Sequence, residues 1–215
     1  MNEMRLDGHV AVVTGAGRGL GQAYAEHLAA RGARVVVNDP GVELMGEGGD
    51  TRLAQDVVDG IVAAGGEAIA NYEAVGTEKA AAALIGQAME TYGQVDILIN
   101  NAGTFTPMWT FMDTSTESFE NLFRVHVMGT IHNTRAVWPH WQARGYGRLI
   151  NIVSAVGYVG SAGRLEYGTA KGAVHGFTTT LAQDSLDHGI HVTAVSPGAR
   201  TRPVTASSSH FPEEL

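Results

Sequence analysis

A tyrosine, a lysine and a serine have types and spacing that suit proton transfer to an oxygen. Tyr167 and Lys171 are four residues apart in a segment of helical periodicity, so their side chains project from one face. Ser154 ends an apolar segment that predicts a strand, at the sheet edge where ligands of open α/β folds bind. A tyrosine and a lysine at this spacing also occur by chance in many helices. Together with the serine, and with the glycine turn and Asp39 described below, they predict a catalytic site that interconverts a secondary alcohol and a ketone.

The expected chemistry couples proton transfer to hydride transfer. In the oxidation direction, deprotonated Tyr167 takes the hydroxyl proton while Ser154 donates a hydrogen bond to the substrate oxygen. A free phenol has a pKa of about 10, so work near neutral pH requires about 4 kcal/mol of added preference for the phenolate. We expect Lys171 and the positive ring of an oxidised nicotinamide to supply it, because nearby opposite charge stabilises an anion.

A glycine-rich turn joins the first predicted strand, 10–14, to the first predicted helix, 20–31. Glycines in this position let the backbone turn tightly and approach a pyrophosphate, whose charge lies at the positive end of the helix. A plain strand-to-helix turn is the alternative interpretation. The turn residues predicted to bind a dinucleotide are Gly15, Arg18, Gly19, Leu20 and Gly21.

The residue at the end of the second predicted strand bears on the choice of cofactor. Asp39 follows Gly21 by 18 residues, where a carboxylate can accept hydrogen bonds from both hydroxyls of an adenosine ribose. A 2'-phosphate there would meet a like charge, at a cost on the order of 4 kcal/mol for charges about 4 Å apart. Arg18 argues the other way, since its guanidinium could pair with that phosphate. We give the carboxylate more weight, and the sequence predicts NAD as the cofactor.

Short β-branched segments alternate with longer segments of helical periodicity. The predicted strands are 10–14, 34–38, 67–72, 95–100, 148–154 and 191–196, and the predicted helices are 20–31, 51–64, 77–92, 118–144 and 166–188. This alternation is typical of a parallel sheet with helices on both faces. The strands are almost wholly apolar, as in a sheet buried on both sides. The prediction is a doubly wound, Rossmann-like α/β fold with three layers and six strands.

Composition narrows the functional classes. At 215 residues, the chain is long enough for one domain, 1–215, with a substantial core. The formal net charge is −8 and the only lysines are Lys79 and Lys171, so no nucleic-acid partner is expected. There are no cysteines, and the histidines lack the paired spacing of a metal site. We therefore expect chemistry from oxygen and nitrogen groups on a small-molecule substrate.

The predicted location of the protein depends on whether the sequence has a membrane-spanning segment or a secretory signal peptide. No apolar run approaches the roughly 18 residues that a membrane span needs, so no membrane partner is expected. The first nine residues carry acids ahead of a very short apolar run, unlike a secretory signal peptide. The default expectation is a cytoplasmic protein.

Together these motifs resemble the short-chain dehydrogenase/reductase family over residues 6–203. The matching residues are the turn 14–21, Asn100, Asn101, Ala102, Gly103, Ser154, Tyr167, Lys171, Pro197 and Gly198. The resemblance implies cofactor contacts beyond the glycine turn and Asp39. It implies adenine near Ala74 and Val75, a ribose on Lys171, and nicotinamide near Tyr167 and the segment from Pro197 to Thr201. Asn101, Ala102 and Gly103 are expected to line the same cleft.

A narrower similarity is to the (3R)-hydroxyacyl-CoA dehydrogenase domain of peroxisomal D-specific multifunctional enzymes. The segments that show this similarity are 36–41, 70–72, 124–126 and 146–148. The similarity suggests an acyl thioester substrate, with a steroid, a sugar or another alcohol as alternatives. Three arginines could meet the phosphates of coenzyme A, although solvated surface arginines are equally expected. They are Arg164, Arg200 and Arg202.

One helix position departs from the broad family. Where most members have an asparagine that helps to hold a proton-relay water, this chain has His126, as the multifunctional enzymes also have. His126 is therefore predicted to pass protons from Lys171 to solvent. The alternative is a helix histidine that is satisfied by a backbone carbonyl.

The C-terminal part also departs from the family. Residues 197–215 are expected to begin a substrate lid, whereas the seventh strand that the family places after the lid is not in the chain. The resemblance implies a homodimer or homotetramer built on the two long helices, with Trp138 and Trp141 in the interface. The competing functional class is a nucleotide-sensing protein that kept the fold and lost the chemistry.

Overall fold

The computed structural model describes residues 4–42 and 49–198. Within these residues, six parallel strands form one sheet in the order β3-β2-β1-β4-β5-β6. The strands are β1 (Val10–Thr14), β2 (Arg34–Asn38), β3 (Glu67–Asn71), β4 (Ile97–Asn100), β5 (Gly147–Ile152) and β6 (Ile190–Val195). The predicted doubly wound α/β fold with six strands is confirmed.

Helices connect successive strands. The α-helices are α1 (Gly19–Ala30), α2 (Arg52–Ala63), α3 (Glu78–Tyr92), α4 (Thr116–Phe123), α5 (Gly129–Arg144), α6 (Val156–Val159) and α7 (Leu165–Asp184). One apolar cluster joins the sheet to α1 and α2, and a second joins it to α3, α5 and α7. These clusters make the predicted three layers, and β1 is buried along its whole length.

A row of polar side chains crosses the sheet at one register, close to the carboxyl ends of the strands. Thr14 is paired with Asn38, Asn38 with Asn71, and Asn100 with Asn151. All five are at most 6% exposed. We call these five residues the polar row. It marks the level at which the apolar sheet ends and the loops that face ligands begin.

Strand β4 begins two residues later than predicted, at Ile97 and not at residue 95. Both backbone polar groups of Val95 are bonded by side chains of α5. The Val95 N–H donates to Nε2 of His140 at 3.3 Å, and the Val95 carbonyl accepts from Nε1 of Trp141 at 2.8 Å. Val95 is apolar and buried, but it lies outside the strand pairing because these groups are already used.

The predicted long helices are also divided differently. The segment 118–144 is α4, a π-helical turn at Arg124–Met128 and α5, and the segment 166–188 is α7 followed by a 3-10 turn at Leu186–His188. Strand β5 ends at Ile152, before Ser154, and the residues after it form the short helix α6. The π turn arises where the Gly129 N–H reaches the Arg124 carbonyl, five residues back. Such turns recur at functional sites.

Two expectations about surface and interface are wrong in detail. Trp141 is fully buried against the sheet, so it belongs to the core of the monomer and cannot line an interface between copies. Strand β6 is not buried on both sides, because its residues alternate between exposed and covered. Among the described residues, only the helices on the α7 face cover this strand.

The tight packing of Trp141 predicts the effect of one methyl group. A Cβ at Gly147 would lie 2.4 Å from the indole ring, so Gly147→Ala should destabilise the fold by about 1–3 kcal/mol. Gly86 lies inside α3 with no atom within 4 Å of a built Cβ, so Gly86→Ala should stabilise by about 0.5–1 kcal/mol. Urea unfolding measures both. Equal effects of the two substitutions would contradict this packing.

Candidate active site

The turns that follow β1 and β4 are locked together by hydrogen bonds. The Thr14 hydroxyl accepts from the backbone N–H groups of Asn101 and Ala102, both at 3.1 Å. The Asn101 side-chain amide donates to the carbonyls of Thr14 at 2.9 Å and Gly15 at 3.0 Å. Strand order reverses between β1 and β4, and ligands of doubly wound sheets bind at this switch point.

The glycine turn has the shape that a pyrophosphate requires. A Cβ at Gly21 would lie 2.2 Å from the Gly15 carbonyl, so only glycine lets α1 start so close to the end of β1. The first turn of α1 contains no acidic residue, and no side chain caps its N–H groups. Nothing lies within 4 Å of a Cβ built on Gly19, while Leu20 follows in the same turn. The site therefore fits the phosphates of a dinucleotide, held by backbone N–H groups and the helix dipole.

Asp39 and Arg18 lie side by side at the end of β2. The Asp39 carboxylate accepts from the Gly17 N–H at 2.9 Å and from the Gly41 N–H at 2.7 Å, and it is 7% exposed. The Arg18 guanidinium donates to the Val42 carbonyl. The two residues that give opposite indications about NADP therefore meet at one end of the cleft.

The remaining predicted cofactor residues lie at the same edge of the sheet. Ala74 and Val75 are in the loop after β3, where Val75 packs against Gly129. Pro197 and Gly198 follow β6 directly. Thr201 lies outside the described residues, as do Arg200, Arg202 and most of the predicted lid.

Ser154 and Lys171 approach Tyr167 from two elements. Ser154 follows β5, its hydroxyl accepts from the Val156 N–H at 3.3 Å, and its side chain is near enough to the Tyr167 phenol to lower the pKa of that phenol. The Lys171 ammonium donates to the Ile152 carbonyl at 2.7 Å and lies 5.8 Å from the centre of the Tyr167 ring. Gly157 allows α6 to pack on α7, because a Cβ there would lie 2.7 Å from the Gly172 nitrogen.

Burial governs the proton affinities of this cluster. It raises the pKa of Tyr167, and the Ser154 hydrogen bond and the Arg164 charge only partly oppose it. It also lowers the pKa of Lys171 to about 8. Lys171 was expected to lower the pKa of the phenol, but within the chain itself desolvation outweighs the lowering influences. A phenolate near neutral pH would therefore depend on the positive charge of a bound oxidised nicotinamide.

His126 is buried beside the ring of Tyr167. The two rings meet edge to face with centroids 5.7 Å apart, and Nε2 of His126 faces both the N–H of Thr104, at 3.1 Å, and its carbonyl, at 2.9 Å. Burial, and then the Lys171 charge, lower the pKa of His126 to about 3. Gly103 makes room for the imidazole, since a Cβ there would lie 2.6 Å from the ring. Nε2 is thus bonded to the backbone, as in the alternative interpretation, whereas Nδ1 has no hydrogen-bond partner among the described residues. Burial favours a neutral imidazole.

Sequence reasoning predicted the start of the loop after β4, from Asn101 to Gly103, but missed the residues that follow. The Phe105 ring stacks on the Tyr167 ring, with centroids 4.7 Å apart and planes at 28°. Arg164 donates to the Thr106 carbonyl at 3.0 Å, so it is engaged in this loop as well as being a candidate for a coenzyme A phosphate. No motif points to Phe105, because its contact with Tyr167 joins residues 62 positions apart.

The family model described as short chain dehydrogenase matches residues 9–212. The chain belongs to the short-chain dehydrogenase family. It is 43% identical over 200 residues to the peroxisomal hydratase-dehydrogenase-epimerase of Neurospora crassa, covering 93% of this chain and 22% of that protein. It is 39% identical over 212 residues to the Mus musculus peroxisomal multifunctional enzyme type 2, covering 99% and 28%. The chain thus spans about a quarter of the length of these relatives, and the narrower resemblance is confirmed.

A solved structure of a metagenomic short-chain oxidoreductase in complex with NADP has a TM-score of 0.82 and 32% identity, covering 91% of this chain and 84% of that one. The ligand named for that structure is NADP, and the family model that matches this chain describes dehydrogenases. Among the described residues, no helix is both long and apolar enough to cross a membrane. In the same part of the chain, no cluster of acidic residues and histidines has the arrangement of a metal site.

Burial of neutral His126 predicts how stability depends on pH. Its pKa in the folded chain, about 3, lies below the ordinary 6.5, so the unfolded chain binds a proton that the folded chain refuses. Stability should be retained above pH 6.5 and lost as the pH falls, by up to about 1.4 kcal/mol per unit. His126→Asn should flatten this dependence. Urea titrations at several pH values test it, with exposed His188→Asn as the control; the same slope in the parent and in His126→Asn would refute the assignment.

Proposed function

We propose that this chain is an NAD-dependent dehydrogenase that interconverts a secondary alcohol and a ketone, with Ser154, Tyr167 and Lys171 as its catalytic residues. The observation that carries the proposal is the convergence of a phenol, a hydroxyl and a buried ammonium beside a glycine turn shaped for a dinucleotide. A sensing protein would have no need of this trio. Hydride transfer to the nicotinamide is the chemistry that the cofactor supplies when bound.

Each residue has a separate task. In oxidation, the Tyr167 phenolate takes the proton of the substrate hydroxyl, and in reduction the phenol returns it. The Ser154 hydroxyl orients the substrate oxygen by hydrogen bonding. The Lys171 ammonium, fixed by the Ile152 carbonyl, binds the nicotinamide ribose and stabilises the phenolate. His126, neutral and bonded to Thr104, is assigned to positioning and not to carrying a charged proton.

The substrate class that we propose is an acyl thioester, such as a 3-hydroxyacyl-CoA. The names of the two curated relatives, a hydratase-dehydrogenase-epimerase and a multifunctional enzyme, support it. So do exposed apolar side chains in the segments that follow β4 and β5, which suit a substrate with an apolar part; they are Met108, Phe111, Met112, Tyr158 and Val159. A steroid or a sugar alcohol would be the substrate if acyl-CoA compounds give no turnover.

Further assignments remain proposals. We propose one domain, 1–215, with a substrate lid beginning at 197. We also propose a homodimer or homotetramer built through α5 and α7, with partly buried Trp138 and without Trp141. A cytoplasmic location remains our prediction, although the names of the two curated relatives assign those proteins to peroxisomes.

The cofactor assignment predicts tighter binding of NAD than of NADP. The Asp39 carboxylate accepts from the ribose hydroxyls and repels a 2'-phosphate. Asp39→Asn keeps the side-chain shape but removes the charge, so it should weaken NAD by about tenfold, or 1.4 kcal/mol, and strengthen NADP. Dissociation constants from fluorescence titration test this. Tighter binding of NADP by the parent would show that Arg18 dominates.

The catalytic assignment predicts distinct losses at Tyr167 and Lys171. Tyr167→Phe keeps the ring packing but removes the titrating hydroxyl, so turnover should fall by about 100-fold or more while NAD still binds. Lys171→Ala should lose turnover and also weaken NAD. The assay is the appearance of reduced cofactor with short acyl-CoA, steroid and sugar alcohols. Near-parental turnover of Tyr167→Phe would require another base.

A further inference from the structure

The loop that follows β4 contacts the proposed catalytic tyrosine through Phe105. Phe105 stacks on the ring of Tyr167, while Thr104 and Thr106 on either side are each held by a side chain from a helix. Thr104 is bonded by His126, and Thr106 is bonded by Glu166. Both residues that flank Phe105 in the chain are therefore held in place by hydrogen bonds.

Glu166 is an unusual residue to find at the start of α7. It directly precedes Tyr167 and is 1% exposed. Its Oε1 accepts from the Thr106 hydroxyl at 2.5 Å and from the Ser118 hydroxyl at 3.3 Å, while Oε2 has no hydrogen-bond partner among the described residues. Burying a carboxylate with so few partners is unfavourable, and the positive end of α7 offsets only part of that cost. The carboxylate is therefore expected to do more than fill space.

The shorter hydrogen bond of Glu166 leads to the loop, and the longer one leads to Ser118 of α4. Arg164, two residues earlier, donates to the Thr106 carbonyl at 3.0 Å and lies 5.8 Å from the Phe105 ring. The first turn of α7 thus holds Thr106 by its hydroxyl and by its backbone. Glu166 has no hydrogen bond to the glycine turn or to Asp39.

We propose that Glu166 is a positioning residue: through the hydroxyl of Thr106 it holds Phe105 against Tyr167 and so fixes the orientation of the catalytic phenol. This inference rests on the proposed function, in which Tyr167 exchanges the substrate proton. A tyrosine turns about two side-chain bonds, and rotation away from Phe105 would break the ring stacking and move the phenol away from Ser154. Displacement of a reacting group by about 1 Å can cost about 100-fold in rate.

The test distinguishes the two hydrogen bonds that Glu166 accepts, one from the Thr106 hydroxyl and one from the Ser118 hydroxyl. Thr106→Val keeps the branched shape and removes the donor, Thr106→Ser restores a donor, and Ser118→Ala removes the other donor to Glu166 without touching the loop. In the full chain, Thr106→Val should lower kcat about tenfold, with NAD affinity within about twofold of the parent. Thr106→Ser should recover kcat, and Ser118→Ala should retain it. Glu166→Ala should resemble Thr106→Val, and unfolding measurements identify any variant that does not fold.

A pH profile distinguishes positioning from loss of stability. Because the Ser154 hydrogen bond lowers the pKa of Tyr167, a misoriented phenol should titrate at higher pH in Thr106→Val. Parental kcat and pH profile in Thr106→Val would overturn the proposal, and so would an equal loss in Ser118→Ala. Tyr167→Phe is measured alongside. If it keeps turnover, the acid/base role fails and the positioning role fails with it; if it is inactive while Thr106→Val is not, only the positioning role is wrong.

Discussion

The proposed cofactor cleft and the proposed catalytic cluster both depend on one constraint, the polar row. Asn38 donates to Asn71 at 2.7 Å, and Asn100 donates to Asn151 at 3.0 Å, each within a buried part of the sheet. A slip of one residue between these strands would separate the amides and leave them buried without partners, at about 1–3 kcal/mol each. Register is therefore set by these side chains as well as by apolar packing, and all the ligand-facing loops leave the sheet at one level.

The same row connects the sheet to the helices that carry chemistry. Asn151 donates to Thr178 of α7 at 2.9 Å, and Asn133 of α5 donates to Asn100 at 3.1 Å. Helix α7 carries Lys171, and α5 continues the π turn that carries His126. Because α7 is hydrogen-bonded to the end of β5, the separation of Ser154 from Tyr167 and Lys171 is tied to the geometry of the sheet.

Burial favours the neutral form of every titratable group in the proposed catalytic cluster. It lowers the pKa of His126 and Lys171 and raises the pKa of Tyr167. Without its cofactor, the chain is thus set against a phenolate near neutral pH. In the proposed function, the positive charge of an oxidised nicotinamide would favour the Tyr167 phenolate, so cofactor binding would activate Tyr167.

The sequence by itself determined the fold class, the six strands and the edge of the sheet at which the site lies. These features depend on local periodicity and on motifs of adjacent residues. The glycine turn, Asp39, and the pair Tyr167 and Lys171 can be predicted from such motifs. What surrounds them depends on contacts between distant segments. Hydrogen bonds from α5 side chains to Val95 keep this residue out of β4. Packing against the sheet makes Trp141 a core residue. Only the tertiary structure decided that Phe105 stacks on Tyr167 and that Glu166 is buried beneath the loop, since burial and stacking are properties of neighbours in space that no spacing along the chain encodes.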